Sequence, residues 1–399
     1  MTSARRVFLA HICRVRSAVV AVVLTLACSG AAVSVGGASS ANAPATPSAT
    51  TTPSATPSKP VDATTLAGAP LSSAAQKQLD LADALLEKGE HQKAEAAYLK
   101  AEGLAPKNAT PFVGRARAIL QGLQIPFDLS SAVGNPAHEK RVADARKILA
   151  AAEKLAPSYA PTYIEAGRAA LMVGDDAAAL AELDRAVSLA PDDAEAVSAR
   201  GVAKLALQKG DDAIKDLKRA VDLEPKSAAR HRNYATALLM QGKTADAVKA
   251  YEDALKLDPT SAGARNDLGA ALLQLGDVTR AIKECETAVK QAPNEPVYRV
   301  VLGFAYQSAK RFAEAEGAYK EALKLDDKRV AAWVNLGSLY LQQGKKDDAR
   351  AALKKALSLD PKEQRAKIML DDLDAPPPKP TGSTSSSVKP PPPTPTPKK

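Results

Sequence analysis

Histidines, cysteines and paired carboxylates are the side chains from which this 399-residue chain would build a reactive centre. Acid–base chemistry needs two such groups within hydrogen-bond reach, and a metal needs three or four at motif spacing. His11, His91, His138 and His231 each stand alone, and no HExxH, CxxC, GxGxxG or GxxxxGKS run occurs. Cys13 and Cys28 fall in a leader. Cys285 takes the place of a large apolar residue in a helical pattern, where it reads as filler rather than nucleophile. Asp175-Asp176, Asp211-Asp212 and Asp347-Asp348 could pair as acid and base, but each sits where a helix begins and suits its positive end. No catalytic, cofactor or metal residue is assigned, no cofactor is expected, and the chain does not read as an enzyme.

Met1–Arg16 carries four arginines and no acid, and Ala18–Ala27 (AVVAVVLTLA) is uncharged. A basic start, a short apolar core and small residues after it make an export signal. Ten apolar residues are too few to cross about 30 Å of hydrocarbon. Leu24-Thr25-Leu26-Ala27-Cys28 resembles a bacterial lipoprotein signal. The resemblance implies that residues 1–28 end in a lipidated Cys28 and that the protein is held in the cell envelope. Thr25 departs from the usual leucine. A signal cut near Ala43, giving a soluble exported protein, and an uncleaved anchor are the alternatives. Residues 29–74 are rich in Ala, Pro, Thr and Ser and predict a flexible linker.

The formal charge is +9, but four of those charges lie in residues 1–74, four in residues 375–399 and one between. The foldable part is nearly neutral, so nucleic acid is not expected as partner; with no catalytic constellation, no small-molecule substrate is expected either.

That middle part repeats. Prolines 157, 191, 225, 259 and 293 are 34 residues apart. In the same phase, Ala94, Ala145, Ala179, Ala213, Ala247, Ala281, Ala315 and Ala349 share one position, and a second alanine follows seven residues later in every unit. A third position is always small, from Ala82 through Gly201 and Gly269 to Gly337. Each unit reads as two amphipathic helices with apolar residues at i, i+3, i+4 and i+7. Small residues mark where helices approach closely. Gly174, Gly242, Gly276 and Gly344 would end first helices, Asp175, Asp211 and Asp277 would begin second helices, and Asn108, Asp193, Ser227 and Ser261 would cap the next ones. Unit 194–227 has Val197 and Lys204 where others are bulky, which predicts looser packing.

Unit 330–363, with Trp333, Leu336-Gly337, Tyr340, Ala349, Leu353, Ala356 and Pro361, resembles a tetratricopeptide repeat (TPR). The resemblance covers 75–363 and implies an all-α solenoid of eight helix hairpins: 75–108, 109–159, 160–193, 194–227, 228–261, 262–295, 296–329 and 330–363. A capping helix, 364–374, closes the solenoid 75–374, and disordered ends flank it, including a Pro-rich tail at 375–399. The tail reads either as a spacer or as a recognition segment. An insertion at 123–139 between the helices of the second unit carries Ile125, Phe127, Leu129 and Val133, which suit either a lid on its own repeats or a partner-contact loop.

In this family the inner, concave face is lined by first helices, which implies a groove for a peptide or partner helix. Carried onto this sequence, the implied contacts are Arg168, Leu171 and Met172, then Arg232, Asn233, Thr236 and Leu239. Asn266 and Leu273 follow, then Phe304, Gln307 and Asn335. The paired lysines and asparagines of carboxylate-clamp members are not present as a full set. The architecture is similar to TPR lipoproteins that assist secretion, pilus or cell-wall assemblies. The expected partners are therefore other proteins, with the membrane reached through the N-terminal lipid or leader.

Ala281→Leu should force a helix crossing apart and cost about 1–3 kcal/mol, read as a lowered urea midpoint.

Overall fold

Seventeen α-helices, and no strand, make up the described residues of the computed structural model, which are 67–123 and 136–374. The leader with Cys28, the linker up to residue 66, the insertion residues Ile125, Phe127, Leu129 and Val133, and the tail 375–399 lie outside them.

The helices alternate as the 34-residue phase requires. First helices are α1 (Ser73–Glu87), α3 (Thr110–Gln121), α5 (Ala160–Met172), α7 (Ala194–Ala206), α9 (Ala228–Met240), α11 (Ala262–Leu275), α13 (Pro296–Ser308) and α15 (Val330–Gln342). Second helices are α2 (His91–Leu104), α4 (Pro136–Leu155), α6 (Asp176–Leu189), α8 (Gly210–Leu223), α10 (Thr244–Leu257), α12 (Val278–Gln291), α14 (Phe312–Leu325) and α16 (Lys346–Leu359). Helix α17 (Gln364–Asp374) closes the array on α16 and α15. Each second helix packs on the first helix before it and the one after it. Neighbouring first helices also touch, whereas neighbouring second helices barely meet. The array therefore curves with its first helices inside.

The small positions explain the close packing within each hairpin. A Cβ at Gly269 would lie 2.4 Å from Cys285 Sγ, and one at Gly303 would lie 2.6 Å from Tyr319 Cε1. The large residue of each second helix thus fills the space that the missing side chain leaves. Ala281, Ala315 and Ala349 are wholly buried at the neighbouring crossing.

Local rules set most helix ends. Asp175, Asp277, Asp193 and Ser261 accept hydrogen bonds from first-turn amides, at 2.8–3.3 Å. Asp211 does not cap; it lies in the first turn of α8, whose N-cap is Lys209. Ser227 precedes α9 without a side-chain cap bond. Asn108 accepts from Thr110 N at 2.9 Å while donating to Ala69 O at 2.7 Å.

That last bond holds a segment that composition places in the linker. Residues 67–72, assigned to the linker, are part of the folded array. Ala69 N donates to Lys107 O and Ala109 N to Ala67 O, so Gly68 forms a short antiparallel bridge with Asn108. Ser72 then caps α1. The insertion is also shorter than its sequence assignment, because Pro136–Glu139 begins α4 and lengthens it to 20 residues. Proline is at home in a first turn, where its missing amide has no partner to lose.

Unit 194–227 departs from expectation in kind. Val197 is fully buried, and Lys204 reaches Asp216 Oδ2 at 2.7 Å, so an ion pair occupies the bulky slot.

Apart from α3, where Gly122 is right-handed, first helices end on a left-handed residue, as at Gly242 (φ +72°) and Gly276 (φ +89°). The same place holds Gln208 (φ +60°) and Lys310 (φ +59°). A side chain there costs about 1 kcal/mol, partly offset by the lower unfolded-state entropy of a non-glycine residue. Gln208→Gly should therefore stabilise the array by about 0.5 kcal/mol in urea unfolding.

Candidate functional site: the inner face

Two registers organise the polar residues of the first helices. In the first, a donor reaches back six residues to the turn that joins units. Tyr163 Oη donates to Pro157 O at 2.7 Å, His231 Nε2 to Pro225 O at 2.9 Å and Arg265 Nη2 to Pro259 O at 2.9 Å. Arg299 bonds Pro293 O, and Trp333 Nε1 donates to Asp327 O at 2.8 Å. These residues share the repeat position that Trp333 holds in the last unit. Its common property is an N–H or O–H that satisfies a turn carbonyl. Val197 occupies that place in α7 and has no donor to give.

The second register links neighbouring first helices at a separation of 35 residues. Asn233 Nδ2 donates to Ser198 Oγ at 3.1 Å, and Arg232 pairs with Asp267 at 2.9 Å. Nearby, buried Glu165 bridges Arg117 at 2.7 Å and Arg168 at 2.9 Å, and Arg168 also pairs with Glu195. Burial opposes charge on both arginines, but the facing carboxylates outweigh it and raise their pKa values. Burial likewise works against ionised Glu195, yet Arg168 prevails and holds its pKa below the usual carboxylate value. The charges of this stretch are answered by one another.

The register changes at α13. Its residues at the two linked positions are Val300 and Val301, both buried. Counting 35 residues sets Val301 opposite Asn266 and Val300 opposite Asn335. Both asparagines are about 95% buried, with Asn266 6% and Asn335 4% exposed. Asn266 Oδ1 and Asn335 Nδ2 have no hydrogen-bond partner. Their other amide atoms make only long contacts of 3.4 Å, to Asp267 and Arg365. An unpaired buried amide group costs about 1–3 kcal/mol, so these two atoms are an unmet hydrogen-bonding demand in the inner row.

The structure divides the residues assigned to the groove. Arg168, Arg232 and Asn233 are half-buried and tied to neighbours as described. Thr236 bonds the Tyr251 hydroxyl at 2.9 Å, and Gln307 accepts from Tyr319 Oη at 2.8 Å, so second-helix tyrosines reach through to claim both. Leu239, 1% exposed, offers no surface to a partner; it packs with Ala235 and Tyr251 in the core. Phe304 is also buried, beside Val301 and Leu302. Leu171, Met172 and Leu273 are half-buried against core clusters. Sequence reasoning missed Glu165, Glu195, Ser198 and Asp267, which decide whether the assigned residues are free. An arginine followed 35 residues later by an acid, as in Arg232 and Asp267, was the available signal.

The candidate reactive groups stay apart. No group of three His, Cys, Asp or Glu able to hold a metal occurs among the described residues. Cys285 is fully buried, which pushes its thiol up to about 12 and keeps it from being a thiolate. None of the described helices is long and apolar enough to cross a membrane.

A cleft of about 680 Å³ opens on the opposite, outer side, between α14 and α16. Leu323, Trp333, Leu336 and Tyr340 form its apolar part, and Lys320, Lys324, Asp348 and Lys355 its rim.

The tetratricopeptide repeat family profile matches residues 62–109, 164–230, 198–262, 234–296 and 301–363, more than half of the sequence. The chain belongs to the tetratricopeptide repeat family. Proteins of this family are in general non-catalytic and bind other proteins or peptides, and this TPR chain is a protein-interaction scaffold. No curated protein matches it. Among solved structures, a chain of the APC/C hetero-tetramer Cut9-Hcn1 is 17% identical with a TM-score of 0.59, over 75% of this chain. This chain spans 55% of that one, and the likeness is one of fold. PilF of Pseudomonas aeruginosa is 18% identical over 53% of this chain and 97% of its own, with a TM-score of 0.46. A TPR protein of Thermus thermophilus is 23% identical over 45% and 98%, with a TM-score of 0.41.

The ion cluster of α7 and α8 gives a pH test. Asp216 is buried, yet Arg200 at 2.7 Å and Lys204 at 2.7 Å overcome that burial and lower its pKa. A depressed carboxylate contributes stability above its unfolded pKa and loses it as pH falls through the folded one. Asp216→Asn should therefore cost about 2 kcal/mol at neutral pH. The gap from wild type should close as the pH falls through the usual aspartate range and below it in urea titrations.

Proposed function

We propose that this TPR scaffold is an exported adaptor, tethered in the bacterial cell envelope, that holds a partner's extended segment or helix along its inner face without catalysis. The observation that carries the reading of the groove is the pair Asn266 and Asn335, whose unpartnered amide atoms flank the Val300 and Val301 stretch. The first-helix charges of α3 to α7 are already paired, so recognition rests on hydrogen bonds and apolar contact rather than on net charge. An uncharged segment with free backbone amides and carbonyls supplies both. The tether is motivated by the export-type leader, the cysteine at position 28 and the Ala/Pro/Thr/Ser-rich stretch behind it. Assistance to a secretion, pilus or cell-wall assembly is the corresponding role.

Partner capture by crosslinking in native envelopes tests the groove. Asn266→Leu with Asn335→Leu should reduce captured partner about tenfold or more while the urea midpoint stays or rises, because two unpaired polar groups are removed. Undiminished capture would place the partner elsewhere. Metabolic lipid labelling tests the tether: wild type should label and Cys28→Ala should not. An unlabelled wild-type protein found in the soluble exported fraction would instead make it a soluble carrier or regulator of a secreted substrate.

A further inference from the structure

The outer cleft between α14 and α16 faces away from the groove. Other outer grooves are crossed by ion pairs. Arg141 of α4 reaches Glu95 of α2 at 2.6 Å, Arg185 of α6 reaches Glu153 of α4 at 2.8 Å, and Arg280 of α12 pairs with Glu252 of α10. Arg219 of α8 reaches Asp192, in the turn after α6, at 3.0 Å.

The cleft lacks such a crossing at the same place. Lys355 holds in α16 the repeat position of Arg185 and Arg219, but Leu323 and Lys328 hold those of Glu153 and Asp192. Among the described residues, one ion pair joins the start of α16 to α14, between Lys345 and Glu316 at 3.7 Å.

Two charges at the rim are therefore unanswered. Neither Lys355 nor Asp348 has an ion-pair or side-chain hydrogen-bond partner among the described residues, and both are exposed. The other rim charges are met on their own helix, Lys320 by Glu316 and Lys324 by Glu321, each at 2.6 Å. Asp348 and Lys355 lie seven residues apart on α16, two turns or about 10 Å. The surface between them is apolar. Ala351 is exposed, and half-buried Trp333 has its indole N–H committed to Asp327 O.

A matching occupant carries a base and an acid two turns apart, with apolar residues between them. One stripe of an α-helix presents these at i, i+3, i+4 and i+7. The walls are themselves helices, and the groove between two such helices accepts the side-chain ridge of a third. An anionic lipid surface would answer Lys355 but be repelled by Asp348, and it would meet the crests of α14 and α16 before reaching Trp333.

We propose that the outer cleft formed by α14, α15 and α16 docks an amphipathic helix of a partner protein, with its acid beside Lys355, its base beside Asp348 and its apolar residues on Trp333. The inner face stays free when this site is filled.

Trp333 is the only tryptophan, so its fluorescence reports the cleft directly. The probe is an acetylated, amidated, alanine-based peptide of about 16 residues, with Lys and Glu seven positions apart and two leucines between them. At low salt, millimolar peptide should lower the acrylamide quenching constant of Trp333 in the full chain about twofold. Versions with two lysines or two glutamines in place of the Lys and Glu should bind about fivefold more weakly. Lys355→Glu, at an exposed position, should reverse the order in favour of the two-lysine peptide, with circular dichroism unchanged. Equal binding of the three peptides, or an order that Lys355→Glu leaves as it was, overturns the proposal. A Trp333 that no peptide protects overturns it as well. Protection by phosphatidylglycerol vesicles and not by peptide overturns it by assigning the cleft to lipid.

Discussion

The close approach of two helices at a residue without a side chain is the constraint on which this array depends. Gly269 against Cys285 and Gly303 against Tyr319 leave no room for a methyl group. Where the first helix gives up volume, the second supplies it, and the hairpin becomes a thin plate. Burial of that plate's two faces needs neighbours, so stability is shared between units rather than held in one core. The sequence cannot vary freely at these points, which is why the phase is visible over eight units.

This also explains what could and could not be read beforehand. The hairpins were legible because packing selects for size, and size repeats at Ala281, Ala315 and Ala349. Polar roles were less legible because hydrogen bonding selects for function, which several side chains can share. Tyr163, His231, Arg265, Arg299 and Trp333 look unrelated as letters but all donate to the same turn carbonyl. Of the assigned inner-face residues, Leu239 and Gln307 turned inward because neighbours absent from a single-helix view claim them. Arg168 and Arg232 were placed on the correct helices, but their engagement by Glu165 and Asp267 depends on a register between units. The segment 67–72 was misassigned because its bonds are to a turn some 40 residues away, which no local composition reveals.

The inner face is thus divided by chemistry. From α3 to α9 it is a chain of mutually neutralised charges, which fixes neighbouring helices relative to one another. Around α13, two valines interrupt the polar register and leave the amides of Asn266 and Asn335 with unused capacity. A surface whose own demands are met is a poor competitor for a ligand. In the proposed function, the interruption is where a partner would gain its binding free energy.

Second helices that barely meet have a mechanical meaning. Bending the array alters its outer spacing while breaking few contacts, and the load falls on the inner row and the joints. The protein should behave as a soft spring with a stiff spine, able to lengthen or tighten its pitch around cargo of different girth. The joint before α7, where Val197 cannot tie down the turn, is the place where such a spring yields first.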